Sequence, residues 1–101
     1  MSRRVRFTEE AREDLRRLFG FAQEASQGDW RLASRIIDTI ESAMALLAAT
    51  PFAGRKATND ASLRELVIGF GNGGFVALYE IESGDVVTVL AVRHQREDDY
   101  W

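Results

Sequence analysis

Val86-Val87-Thr88-Val89-Leu90-Ala91-Val92 is the stretch on which the fold turns. It is rich in β-branched residues and apolar on both of its alternating faces. That pattern predicts an interior strand, Val86 to Arg93, covered on at least one side by other elements. Working backwards, Ser83-Gly84-Asp85 supplies a tight turn, Phe75 to Ile81 reads as a second strand, and Leu63 to Ile68 as a third. Between those two lies Gly69-Phe70-Gly71-Asn72-Gly73-Gly74, a formal match to GxGxxG. A dinucleotide fingerprint needs a helix after the glycines, because the phosphate sits on that helix's N-terminus. Here a strand follows, so the glycines read as a hairpin loop that uses positive φ.

Ahead of the strands the period changes from two to about 3.6. Ala33, Ile36, Ile37, Ile40, Met44 and Leu47 form an apolar helical stripe that Asp29 can cap. Pro51 disfavours helical geometry at Thr50 and so ends the helix there. Ser26-Gln27-Gly28 separates it from an earlier helix. In that one, Ala11, Leu15, Leu18, Phe19 and Ala22 keep helical spacing from a Thr8 cap to about Ala25. Glu9 and Glu10 suit the helix's positive end, and Glu13 can pair with Arg16 and Arg17. Val5 and Phe7 alternate with Arg4 and Arg6 as a short first strand. The predicted order is β-α-α-β-β-β, an α+β domain with a helical hairpin packed on a largely antiparallel sheet.

The 101 residues suffice for one domain, 1–101, and the 46% apolar content supports a packed core. With no cysteine, disulfides, thiolate metal sites and cysteine nucleophiles are excluded. The basic N-terminal residues lack the apolar stretch of a secretory signal, and no apolar run approaches the ~18 residues of a membrane helix. The expectation is a soluble cytoplasmic protein with no membrane partner. Acids outnumber bases 16 to 13 for a net charge of −3, so strong direct nucleic-acid binding is not expected.

His94 is the sole histidine, and it stands beside Arg93 and Arg96 with Tyr100 close behind. A histidine among arginines can protonate a leaving alkoxide while guanidiniums hold a phosphate, and Arg64 with Arg55-Lys56 can complete such a site. The competing reading is structural: His94 and Arg93 bond the sheet end, or pair with Glu97 and Asp98. One histidine and scattered carboxylates offer no metal spacing, and no cofactor motif is present. Tyr100 and Trp101 either fold back on the core or anchor a partner, since aromatic anchors are enriched at interfaces. Trp30 carries the same two readings, with packing at the helix end or in the core the favoured one.

Val5-Arg6-Phe7-Thr8-Glu9-Glu10-Ala11, Thr50-Pro51-Phe52-Ala53-Gly54-Arg55, Leu63-Arg64-Glu65-Leu66, Phe75-Val76-Ala77-Leu78-Tyr79 and Val89-Leu90-Ala91-Val92-Arg93-His94-Gln95-Arg96-Glu97, ending at Tyr100, form one ordered set. In order and spacing they resemble the RelE/ParE toxin family of type II toxin–antitoxin systems across essentially the whole chain. The resemblance implies the same β-α-α-β-β-β fold and one of two activities. RelE-like members cut messenger RNA in the ribosome, and position carries that role to Arg64, Arg93, His94 and Tyr100. ParE-like members poison DNA gyrase without an established hydrolytic site. The acidic balance, the single lysine (Lys56) and the long helical hairpin favour ParE and a non-enzymatic toxin. A degenerate toxin that keeps only antitoxin binding is the third reading. The resemblance also implies a ParD-like antitoxin whose extended segment folds on the toxin, with Trp30, Arg96, Tyr100 and Trp101 as candidate antitoxin or target contacts. At −3, hydrophobic contacts rather than charge are expected to carry that affinity.

Overall fold

The structure, a computed structural model, describes residues 3–25, 27–58, 60–71, 73–82 and 85–95. Seven elements follow in order: β1 (Arg4–Phe7), α1 (Glu9–Ala25), α2 (Trp30–Ala49), β2 (Arg55–Lys56), β3 (Leu63–Phe70), β4 (Gly73–Ile81) and β5 (Val86–His94).

Both helices start where the sequence places a cap. The Thr8 hydroxyl accepts the Ala11 N–H (3.1 Å), and the Asp29 carboxylate accepts the Arg31 N–H (2.9 Å). α1 ends in paired backbone bonds, Gln27 N–H to the Glu24 carbonyl (3.2 Å) and Gly28 N–H to the Gln23 carbonyl (2.7 Å). This is the Schellman pattern, with Gln27 at φ 58° in the left-handed position that glycine usually fills. On the wet face of α1, Glu13 pairs with Arg16, and Arg17 lies 3.9 Å from Asp14.

The sheet order is β1-β5-β4-β3-β2. Three pairings are antiparallel and the β1–β5 pairing is parallel, so the sheet is mixed. The long apolar strand, β5, lies inside the sheet, and β4 is its middle strand. β2 has no counterpart in the predicted β-α-α-β-β-β order, since two residues show no period; it is defined only by its register, Arg55 opposite Glu65 and Lys56 opposite Arg64. The glycine-rich segment contributes less loop than expected. β3 runs on to Phe70 and β4 begins at Gly73, with Gly71 between them at φ 61°. Gly74 has no room for a side chain, because a Cβ there would sit 2.1 Å from the Ile68 carbonyl oxygen. Of the expected turn at 83–85, residues 83 and 84 lie outside the described residues; Glu82 N–H to the Val86 carbonyl (3.0 Å) closes the ladder.

A bulge in β5 resolves why that strand is apolar throughout. Leu78 faces Ala91 and Tyr79 faces Val89, so Leu90 is extra. Side-chain parity therefore flips, and Val87, Val89 and Val92 all point to the same core. They meet Ala11 and Leu18 of α1, Ile36, Ile40 and Leu47 of α2, and Leu66, Ile68, Phe75, Ala77 and Tyr79 of the sheet. Each fully buried aliphatic chain of this kind contributes about 1.5–3 kcal/mol. The core thus lies between the helical hairpin and one face of the sheet. Among the described residues no helix is long and apolar enough to cross a membrane, and no cluster of metal-ligating side chains occurs.

Candidate functional site

His94 ends β5 on the helix-facing side of the sheet, opposite Phe75. The two rings meet edge to face with centroids 6.0 Å apart. Phe75 in turn contacts Phe70 (6.2 Å), and the Arg35 guanidinium of α2 lies 5.3 Å above the Phe70 ring. An aromatic row capped by one cation therefore runs across this end of the sheet. Gly73 leaves space beside the imidazole, since a Cβ there would approach His94 Cε1 at 3.6 Å. Arg93 points to the other face, where its guanidinium donates to the carbonyls of His94 (3.2 Å) and Gln95 (3.4 Å).

Arg64 is not part of this group. It faces Tyr79 in the β3–β4 register while His94 faces Phe75, on the opposite side of β4. Four residues of strand and two strand spacings separate them, about 16 Å between Cα atoms. The Arg64 guanidinium instead donates to the Gly54 carbonyl (2.9 and 3.2 Å) and the Phe52 carbonyl (3.5 Å), and lies 5.2 Å from the Phe52 ring. Tyr79 secures the same loop from beneath: its hydroxyl donates to the Pro51 carbonyl (2.7 Å) and accepts the Gly54 N–H (3.0 Å). The motif from Thr50 to Arg55 is thus a clasp, pinned at the buried Pro51 and Gly54, where the chain passes from α2 into the sheet. Arg55 pairs outward with Glu65 (3.3 Å).

Trp30 departs from the packing expected of it. At the first turn of α2 it is 72% exposed, off the apolar stripe of Ile36, Ile40 and Leu47 that α2 buries. Phe21, near the end of α1, is exposed as well. Arg96, Tyr100 and Trp101 lie outside the described residues.

The feature that sequence reasoning missed is an apolar groove of about 530 Å³ between the helices and the end of β1. Phe7, Leu15, Phe19, Ile37, Ile40 and Met44 line it, with Glu41 at its edge. The signal was present: Ile36 and Ile37 are adjacent, and one helix face cannot bury both. Ile36 enters the core, and Ile37 remains 40% exposed on the groove wall.

A helical hairpin over a mixed sheet, with its N-terminal strand parallel to the last one, is the architecture of RelE/ParE-like domains. The family model described as "ParE toxin of type II toxin-antitoxin system, parDE" matches residues 5–99, and the chain belongs to that family. Among solved structures, it is similar to a chain of the chromosomal ParDE toxin–antitoxin system from P. aeruginosa. The TM-score is 0.71 at 20% identity, over 96% of this chain and 98% of that one. It is also similar to a chain of the toxin–antitoxin complex RelBE2 from Mycobacterium tuberculosis, with TM-score 0.62 at 24% identity, over 93% and 99% of the two chains. No curated protein matches the chain by sequence.

Proposed function

We propose that this ParE-family chain acts as a non-enzymatic poison of DNA gyrase and is held inactive by a ParD-like antitoxin. The observation that carries the choice of target is the placement of Arg64. A phosphodiester-cleaving site needs its cations and its proton donor around one phosphate, within hydrogen-bond reach of the reacting atoms. Arg64 is about 16 Å from His94 by strand geometry and is engaged by backbone carbonyls of the clasp. The net charge of −3 argues the same way, since docking on ribosomal RNA draws on a large excess of cations.

The groove supports the antitoxin half of the proposal. It suits the apolar face of a segment that folds as it binds, with anchors at helical spacing. Solved structures of similar fold come from toxin–antitoxin systems, one of them a ParDE system.

The second reading, a ribosome-dependent endonuclease, draws on the adjacency of Arg93 and His94 and on the likeness to the RelBE2 chain. Supercoiling by purified gyrase separates the two. Inhibition with accumulation of cleaved DNA, reversed by the cognate antitoxin, is the expected result. Folded toxin that leaves gyrase untouched at high excess, yet cuts mRNA on ribosomes, would replace this reading with the second.

A further inference from the structure

Two departures from ordinary helix chemistry sit side by side in α1. Gly20 lies in the interior of the helix, Glu9–Ala25, where only proline is less favourable than glycine. Packing within the domain does not call for it: among the described residues, no atom lies within 4 Å of where its Cβ would be. Phe21 follows, and it is 62% exposed rather than packed. Arg17 and Glu24 flank this pair about one turn away on either side, and the four exposed residues line a shallow notch of about 160 Å³. Leu15 and Phe19 turn instead to the apolar groove, about half a turn around the helix axis from the notch.

We propose that this notch is the contact of a weak two-fold symmetric dimer, in which α1 of one copy packs antiparallel against α1 of a second. A second copy is the occupant because the notch is complementary to itself. Arg17 and Glu24 lie two helical turns apart, so they share one face about 10 Å apart along the axis, with Gly20 and Phe21 centred between them. Antiparallel pairing about that midpoint sets Phe21 of each copy over Gly20 of the other and each Arg17 opposite a Glu24. One register thus serves both pairs, and the two-fold axis repeats each contact. The absent Cβ lets the two backbones approach and admits the ring. Parallel pairing would instead set Arg17 against Arg17 and Glu24 against Glu24. Arg17 also lies 3.9 Å from Asp14 of its own helix, and the five donors of a guanidinium can serve both carboxylates. Four residues from each copy bury less than the ~1,200 Å² of stable complexes, so the association is weak. Because the groove lies on the other side of α1, the inference does not depend on the antitoxin or on the target.

The test is sedimentation equilibrium of the full chain from about 10 μM to about 1 mM, where a reversible monomer–dimer equilibrium is the expected result. A chain that stays monomeric throughout would overturn the proposal and assign the notch to a different partner. Gly20→Gln fills the notch. Since its Cβ meets open space, it should raise the melting temperature while weakening self-association about tenfold or more. Unchanged association in this variant would overturn the proposal by placing the dimer on another surface. The register has its own readout. Arg17→Glu and Glu24→Arg each set like charges opposite one another, so each alone should self-associate several-fold more weakly. An equimolar mixture of the two variants restores opposite charges at both positions and should form a heterodimer. A mixture as monomeric as its components would overturn the antiparallel pairing. If Arg17→Glu does not fold, Gly20→Gln and Glu24→Arg decide the matter: weakened association in both supports the dimer, and undiminished association in either overturns it.

Discussion

Thr8 and Leu90, 82 positions apart, meet through one hydroxyl. The Thr8 Oγ1 donates to the Leu90 carbonyl (3.2 Å) at the β5 bulge while accepting the Ala11 N–H that starts α1. The same strand edge is held again where the Asp14 carboxylate accepts the Val92 N–H (2.9 Å). β1 pairs with β5 only from Val86 to Val89, so beyond that point α1 side chains take over backbone groups that a longer β1 would have paired. Thr8→Val removes the cap and the bulge partner together. It should cost about 1–2 kcal/mol in urea unfolding, and an unchanged midpoint would show that the bulge needs no such partner.

Gly54 and Tyr79 make a second test of local packing. A Cβ at Gly54 would meet the Tyr79 hydroxyl and the Glu65 carbonyl oxygen, each at 2.6 Å. Tyr79→Phe leaves the Pro51 carbonyl and the Gly54 N–H without their buried partner, at about 1–3 kcal/mol. Gly54→Ala should cost a comparable amount through overpacking. If Gly54→Ala is neutral in chemical denaturation, the clasp is looser than this geometry requires.

Gln27 offers the opposite sign. Its φ of 58° is one an L side chain adopts at a cost, whereas glycine does so freely. Gln27→Gly should raise stability by about 0.5–1 kcal/mol, read as a higher melting temperature. A lower one would mean that the added freedom of the unfolded chain outweighs the relieved strain.

The groove predicts how the antitoxin binds. Ile37→Asp puts a charge on the groove wall at a position already 40% exposed, so stability should hold while antitoxin affinity drops tenfold or more, about 1.4 kcal/mol. Because the lining is apolar and the toxin carries −3, affinity should change little between low and moderate salt. Isothermal titration at two salt concentrations checks both statements. A steep salt dependence would transfer the main contribution to charge.

His94 decides between chemistry and packing. With its ring against Phe75 at the sheet end, His94→Ala should leave gyrase inhibition nearly intact. A general acid, by contrast, would lose about 100-fold or more in RNA cleavage when removed. Supercoiling and ribosome cleavage assays on the same variant give the answer.

The sequence by itself determined the element types, their order and the helix caps, because periodicity and capping are local and survive in the linear pattern. Thr8, Asp29 and the Ile36–Ile40–Leu47 stripe were legible for that reason. It also carried the family, through ordered segments spread along the chain. Only the tertiary structure decided the rest, since each remaining feature depends on which distant residues become neighbours. The parallel pairing of β1 with β5, the bulge at Leu90 that turns both apolar faces of β5 to use, and the two-residue strand β2 arise from register. The same holds for the site. Arg64 and His94 look equally available in a list of basic residues, but β4 lies between them and the clasp engages one of the two. Adjacent Ile36 and Ile37 look like one stripe until the sheet, finite in width, buries the first and leaves the second to wall a groove.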